Sequence, residues 1–185
     1  MNTSTISTTA AADVIKFWTE AGPDRWFKKD AAFDDEFRAK FAAAHEAAAS
    51  GALDDWASTA DGALALMILL DQYPRNSFRG TARMFASDTN ALSIAKHAIA
   101  QDFDTVIDPE LRRFFYLPFM HSEVIAEQDR SLELYAPIGG EPMRYAVMHR
   151  DIIMRFGRFP HRNALLGRTT TAEEQAFLAG GGFAG

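Results

Sequence analysis

The sequence predicts an all-α fold in a single domain, on three observations. Apolar residues recur at three- and four-residue spacing through most of the 185 residues. No segment of strand length alternates apolar with polar residues convincingly. Glycine and proline fall at the ends of the periodic stretches, where helices stop. The length suits one domain with a full core. The expected division is a disordered tail over 1–12, a helical domain over 13–179 and a flexible glycine-rich tail over 180–185. Fifteen phenylalanines point to a core built on aromatics.

The elements follow in order. Asp13 caps a first helix over 14–20, which Gly22-Pro23 ends. Arg25, Trp26 and Phe27 read as a loop with two apolar anchors. Asp34 opens an amphipathic helix with Phe37, Phe41, Ala44 and Ala48 on one stripe, closed by Gly51. Asp61 opens a helix over 62–72 whose eight consecutive apolar residues require burial all round, and Tyr73-Pro74 breaks it. Short helical stretches follow at 81–85 and 90–101. Asp108-Pro109 starts a helix over 110–116, ended by Pro118. Ser122 caps a helix to Tyr135, Gly139-Gly140 turns the chain, and Glu141-Pro142 starts a long helix to about Phe156. Thr171 and Glu174 form a capping box for 172–178.

Composition excludes several function classes. With no cysteine there is no disulfide, thiolate nucleophile or cysteine-ligated metal. Nineteen basic against 25 acidic residues argue against a nucleic-acid partner. The longest apolar run, 63–70, is too short to span a bilayer. The first dozen residues lack the basic and apolar regions of a signal peptide. The expectation is a cytoplasmic protein with no membrane partner.

Against this acidic background, residues 143–168 carry Arg144, Arg150, Arg155, Arg158, Arg162 and Arg168, no lysine, and one acid, Asp151. Guanidinium is a planar fork that pairs bidentately with carboxylate or phosphate. These arginines therefore pair with the chain's own acids or receive an anionic ligand, and both alternatives stand. The segment 67–76 also echoes 153–163: each is an apolar helix end running into aromatic-Pro and then Arg-Asn.

These motifs carry a resemblance. Asp71-Gln-Tyr-Pro-Arg-Asn76, Arg79-Gly-Thr-Ala-Arg83, Leu117-Pro-Phe-Met-His-Ser-Glu123, Arg155-Phe-Gly-Arg-Phe-Pro-His-Arg-Asn163 and Leu166-Gly-Arg168 followed by Thr171-Ala-Glu-Glu174 resemble the bacterial domain-of-unknown-function 924 family, from about 14 to 178. The resemblance implies a tetratricopeptide-like stacking of helical hairpins and no established activity.

Four constellations carry candidate chemistry. Asp71 lies on the apolar stripe of Leu64, Met67 and Ile68 at a helix C-terminus, where an anion needs a cation. It is either a structural ion pair with a nearby arginine or a functional carboxylate. His121 and Glu123 are either caps or an acid/base pair. His149, facing the apolar side, reads as a core histidine. His161, Arg162 and Asn163 sit in the turn after Pro160, as caps or as ligand donors. No helical metal-ligand spacing occurs, so neither metal nor cofactor is expected.

Two functions follow. In the first, a small-molecule enzyme or binding protein holds an anionic carboxylate or phosphate in an interhelical cleft. Its catalytic candidates are His121, Glu123, His161 and Asp71, and its binding candidates are Arg75, Arg79, Arg158, Arg162, Asn163 and Arg168. In the second, a helical scaffold binds a peptide or protein and the charges are internal staples. The sequence leaves open whether the chain is an enzyme.

Overall fold

The computed structural model describes residues 9–185. Most of the expected N-terminal tail, residues 1–8, lies outside the described residues, and helix α1 already begins at Ala11. All regular structure among the described residues is helical, as the periodicity predicts. The long elements are α1 (Ala11–Ala21), α3 (Ala31–Ala49), α4 (Ala60–Met67), α6 (Asp88–Ala100), α8 (Arg113–Met120), α9 (Ile125–Tyr135), α10 (Gly140–Phe156) and α11 (Ala172–Ala179). Short helices α2 (Pro23–Trp26), α5 (Tyr73–Ser77) and α7 (Phe103–Val106) and 3₁₀ turns at Asp54–Ser58, Ala82–Phe85 and Pro160–Arg162 connect them.

The apolar run is the axis of the domain. Residues 62–74 are buried without a break, enclosed by α1, α3, α6 and α8. At about 1.5–3 kcal/mol for each large side chain removed from water, this helix alone supplies much of the driving force for folding. Trp18, Phe33, Phe37 and Phe114 pack around one end with ring centroids 5.4–6.0 Å from Trp18. Gly62 is required where the run begins, because a Cβ there would lie 2.1 Å from the Trp56 carbonyl oxygen. Helices α9 and α10 pack on each other and on α8. A smaller apolar cluster, Ile152, Ile153 and Phe159 with Met148, Phe156, Phe177 and Phe183, closes the C-terminal end.

Several boundaries differ from the sequence expectation, each for a physical reason. Arg25 and Trp26 belong to α2, with Pro23 at its first position, rather than to a loop. Helix α3 starts three residues earlier than expected, because Asp30 caps it through the Phe33 amide. Pro118 does not end α8, which runs on to Met120; residues 114–120 are all buried, and that packing outweighs the hydrogen bond a proline cannot make. Val124, not Ser122, precedes α9. Tyr73-Pro74 does not break the central helix either. A π-turn at Ile68–Gln72 carries the chain into α5, with the Tyr73 amide bonding the Ile68 carbonyl.

The hydrogen bonds around this π-turn close with side chains. In an α-helix Leu69 and Leu70 would accept from the amides of Tyr73 and Pro74. The π-turn diverts the first, and proline lacks the second. His45 Nδ1 takes the Leu69 oxygen at 2.9 Å, and Ser87 Oγ donates to the Leu70 oxygen at 2.6 Å. The irregularity thus sits on either side of Asp71 and is locked by α3 and by the residue before α6.

Candidate functional site

The site is built where the π-turn, the end of α8, the middle of α10 and the Pro160–Arg162 turn meet. Asp71 is 1% exposed. One of its oxygens accepts from His121 Nδ1 at 2.7 Å and lies 3.2 Å from Arg75 Nη1; the other accepts from Gln72 Nε2 at 2.7 Å. Burial pushes the Asp71 carboxyl up, but Arg75 and His121 outweigh it and hold the pKa at about 2. Arg75 donates in turn to the Asp71 carbonyl at 2.8 Å and forks onto Asp88 at 2.9 and 3.1 Å. The carboxylate is therefore ionised and fixed from three sides.

That arrangement sets the tautomer of His121. With Nδ1–H donated to the carboxylate, Nε2 carries the lone pair, and among the described residues nothing hydrogen-bonds it. The side chain retains 15% exposure. Burial first, and Arg75 second, lower its pKa below the ordinary histidine value, so the ring is neutral at pH 7. A carboxylate-oriented, neutral imidazole with a free Nε2 is the arrangement of a general base.

Three further groups lie beside it. The His149 ring centroid is 6.5 Å from that of His121. Its Nδ1 donates to the Tyr145 carbonyl at 2.8 Å, and burial with His121 and Arg162 nearby lowers its pKa to about 3. Thus His149 is a buried histidine, as the sequence reading has it, but one that faces the cluster. His161 is lowered to about 4 by burial and by Arg162, and its buried Nδ1 has no partner among the described residues. Arg162 is 6% exposed and lies between the rings of Phe85 and Phe159, 4.6 and 4.5 Å from their centroids. It donates to the His121 carbonyl at 2.9 Å and approaches Asp88 at 3.5 Å, while its Nε has no partner. Burial and the neighbouring Arg75 lower its pKa to about 10.

A second network borders the first. Arg168 forks onto Glu123 at 2.7 and 3.0 Å and donates to the Phe159 carbonyl and the Asn163 side chain. Burial raises the Glu123 pKa, but Arg168 and the Phe159 amide more than offset it, so the carboxyl is lowered overall. Arg158 forks onto Glu174 at 2.6 and 2.9 Å, and Glu174 also takes the Asn163 amide. These contacts latch residues 158–168 against the start of α9 and the N-terminus of α11. The rest of the arginine segment is paired as well: Arg150 with Asp129, Arg155 with Glu173, and Arg144 loosely with Glu141 at 3.6 Å.

Of the ten residues singled out from sequence, Asp71, Arg75, His121 and Arg162 form the first network with His161 beside it, and Glu123, Asn163, Arg168 and Arg158 form the second. Arg79 is in neither. It forks onto Asp34 at 2.7 and 3.2 Å, beside the Asn76 amide on the same carboxylate. Asn163, Glu174 and Arg158 form a comparable cluster of asparagine, carboxylate and arginine. Sequence reasoning missed Asp88, whose only signal was an acid near a helix start, and Phe183, which fell in the expected flexible tail.

The C-terminal tail places an aromatic ring against the expected interhelical cleft. The Phe183 ring lies 4.6 Å from His149 and 5.1 Å from His161, centroid to centroid. Among the described residues no group of three or more acidic or histidine side chains is placed to hold a metal ion, and no helix is long and apolar enough to cross a membrane.

Residues 14–182 match the family described as bacterial protein of unknown function, DUF924. The chain belongs to this family. A solved structure, the protein of unknown function ATU0120 from Agrobacterium tumefaciens, is 54% identical to it. That match covers 91% of this chain and 96% of the other, with a TM-score of 0.89. No curated protein matches. DUF924 membership thus agrees with the helical fold and carries no activity with it.

Proposed function

We propose that this chain is an enzyme acting on a small oxyanion substrate, with His121 as general base. Asp71 orients His121, Arg75 keeps Asp71 ionised, and Arg162 receives a carboxylate or phosphate oxygen of the substrate. The observation that carries this reading is the 2.7 Å contact of His121 Nδ1 with a fully buried carboxylate, leaving Nε2 free. The other arginines support the latch. Around His121 the charges balance: Arg75, Arg162 and Arg168 against Asp71, Asp88 and Glu123. An incoming anion therefore draws a proton onto a neighbouring imidazole, and binding tightens as pH falls through the histidine range.

The test compares low-millimolar acetate and phosphate with chloride at matched ionic strength, between pH 7.5 and 5.5. Oxyanions should raise the melting temperature beyond chloride and move the His121 ring resonances. The effect should grow toward pH 5.5 and vanish in Arg162→Met. Equal stabilisation by chloride would favour the second reading, a tetratricopeptide-like scaffold for a peptide partner. The complete pairing of Arg79, Arg158 and Arg168 with carboxylates favours that reading.

A further inference from the structure

We infer that the Phe183 ring occupies a subsite for an aromatic group of the ligand, which makes the substrate class a small aromatic acid and the C-terminal tail its displaceable occupant. This rests on reading the His121 cluster as a site and specifies what that site takes.

The subsite is a box of rings. Phe159, fully buried, forms its base, 5.4 Å from His149 and 5.6 Å from His161. Phe183 closes it with tilted and edge-on contacts, at 60° to His149 and 87° to His161. Such geometries are those aromatic pairs prefer, and they accept any flat ring. The charged end is adjacent: the Arg162 guanidinium lies over the Phe159 ring, 4.5 Å from its centroid. Beneath the rings are two buried polar atoms without partners, His161 Nδ1 and Arg162 Nε. Native structures rarely leave such donors and acceptors unused. The oxygens of a planar carboxylate supply acceptors for Arg162 Nε–H and for His161 Nδ1 in its protonated tautomer, while the attached ring takes the place of Phe183.

Phe183 is the part of this box that can leave. The Gly182 amide bonds the Phe177 carbonyl at 2.9 Å, and among the described residues no backbone hydrogen bond holds 183–185 beyond it. Gly181 takes φ +83°, open to glycine and strained for other residues. Phe183 also lines a groove of about 490 Å³ between α10 and the tail, with Met148, Ile152, Phe156 and Phe177. Phe183 thus touches both the histidines and this groove, whose lining also carries Arg144, Asp151 and Arg155. A segment with so few ties opens locally at low cost in free energy.

The experiment titrates benzoate and acetate into wild type, Phe183→Ala and Gly182→Ala at pH 6.5, by calorimetry. Gly182→Ala keeps the ring but displaces the tail, since its Cβ would meet the Phe177 ring at 2.6 Å. Removing an occupant that fills the site nine-tenths of the time tightens apparent affinity about tenfold. Benzoate should show a gain of that order in both variants, with acetate changed less than about twofold by the same relation. No gain for benzoate in either variant, or an equal gain for acetate, overturns the aromatic subsite. His121→Gln and Arg162→Met in the Phe183→Ala background separate the two readings. A benzoate gain that ignores both leaves the subsite standing and removes Arg162 as the receiver of the oxyanion. Acetate binding that depends on Arg162, without a benzoate gain, does the reverse.

Discussion

Replacing His149 by Phe should remove a loss of stability that wild type suffers as pH falls. In the folded chain His149 holds a pKa of about 3, because it is buried and faces His121, Arg162 and His161. In the unfolded chain it titrates near 6.5, as a free histidine does. The unfolded state therefore binds more protons between those values, and stability is lost as pH falls from about 6.5 toward 3. At pH 5 the unfolded imidazole is protonated about thirtyfold in excess over its neutral form while the folded one is not, which is about 2 kcal/mol lost relative to pH 7.5. His161, lowered to about 4, loses a comparable amount over the same range. Phenylalanine keeps a ring against Phe159 and Phe183 but gives up the bond to the Tyr145 carbonyl, worth about 1 kcal/mol. His149→Phe should thus be slightly less stable than wild type at pH 7.5 and more stable at pH 5, with the two curves crossing between. Urea denaturation at half-unit steps from pH 7.5 to 5 measures this directly. Parallel curves for the two proteins would refute the argument, because they would mean that His149 titrates alike in both states.

Asp71→Asn should cost about 3 kcal/mol, toward the lower end for a broken buried pair, since Arg75 keeps Asp88 as a partner; a melting temperature within a degree or two of wild type would show that the carboxylate is not buried as described. Gly62→Ala should destabilise by about 1–3 kcal/mol despite the better helix propensity of alanine, because the 2.1 Å approach to the Trp56 carbonyl forces the backbone apart; an unchanged urea midpoint would contradict that packing. Arg168→Met should release Glu123 and the Phe159 carbonyl together, speeding hydrogen exchange at 157–171 while the amides of residues 62–70 stay protected; uniform acceleration would make the latch part of the global core instead.

The fold was legible where local periodicity and burial agree. The apolar run at 63–70 has a single stable solution, a helix enclosed on all sides, and the alternation of periodic stretches with Gly and Pro left no strands to pair. Irregularity was less legible. Tyr73-Pro74 reads as a break in any local window, yet the carbonyls it frees are taken by His45, 24 residues before Leu69, and Ser87, 17 residues after Leu70. Only the tertiary fold brings those groups within reach, so only it turns a helix break into a π-turn. Asp71 was marked as a buried anion in need of a cation by its place on an apolar stripe at a helix end, a purely local argument, and Arg75 one turn away answers it. Its second partner, His121, lies 50 residues on, and no spacing rule connects them.

The arginine segment shows the division most plainly. Its composition establishes a dense set of forked donors with one acid among them. It does not establish where the balancing charges are, because those acids come from elsewhere in the chain: Asp88, Glu123, Asp129, Glu173 and Glu174. Ion pairing depends on distance in space, and sequence separation says little about that once helices stack. Folding therefore decided that Arg158 and Arg168 are partly buried braces, that Arg144, Arg150 and Arg155 pair at the surface, and that Arg162, close to two rings with one nitrogen unpaired, is the one left beside the histidines.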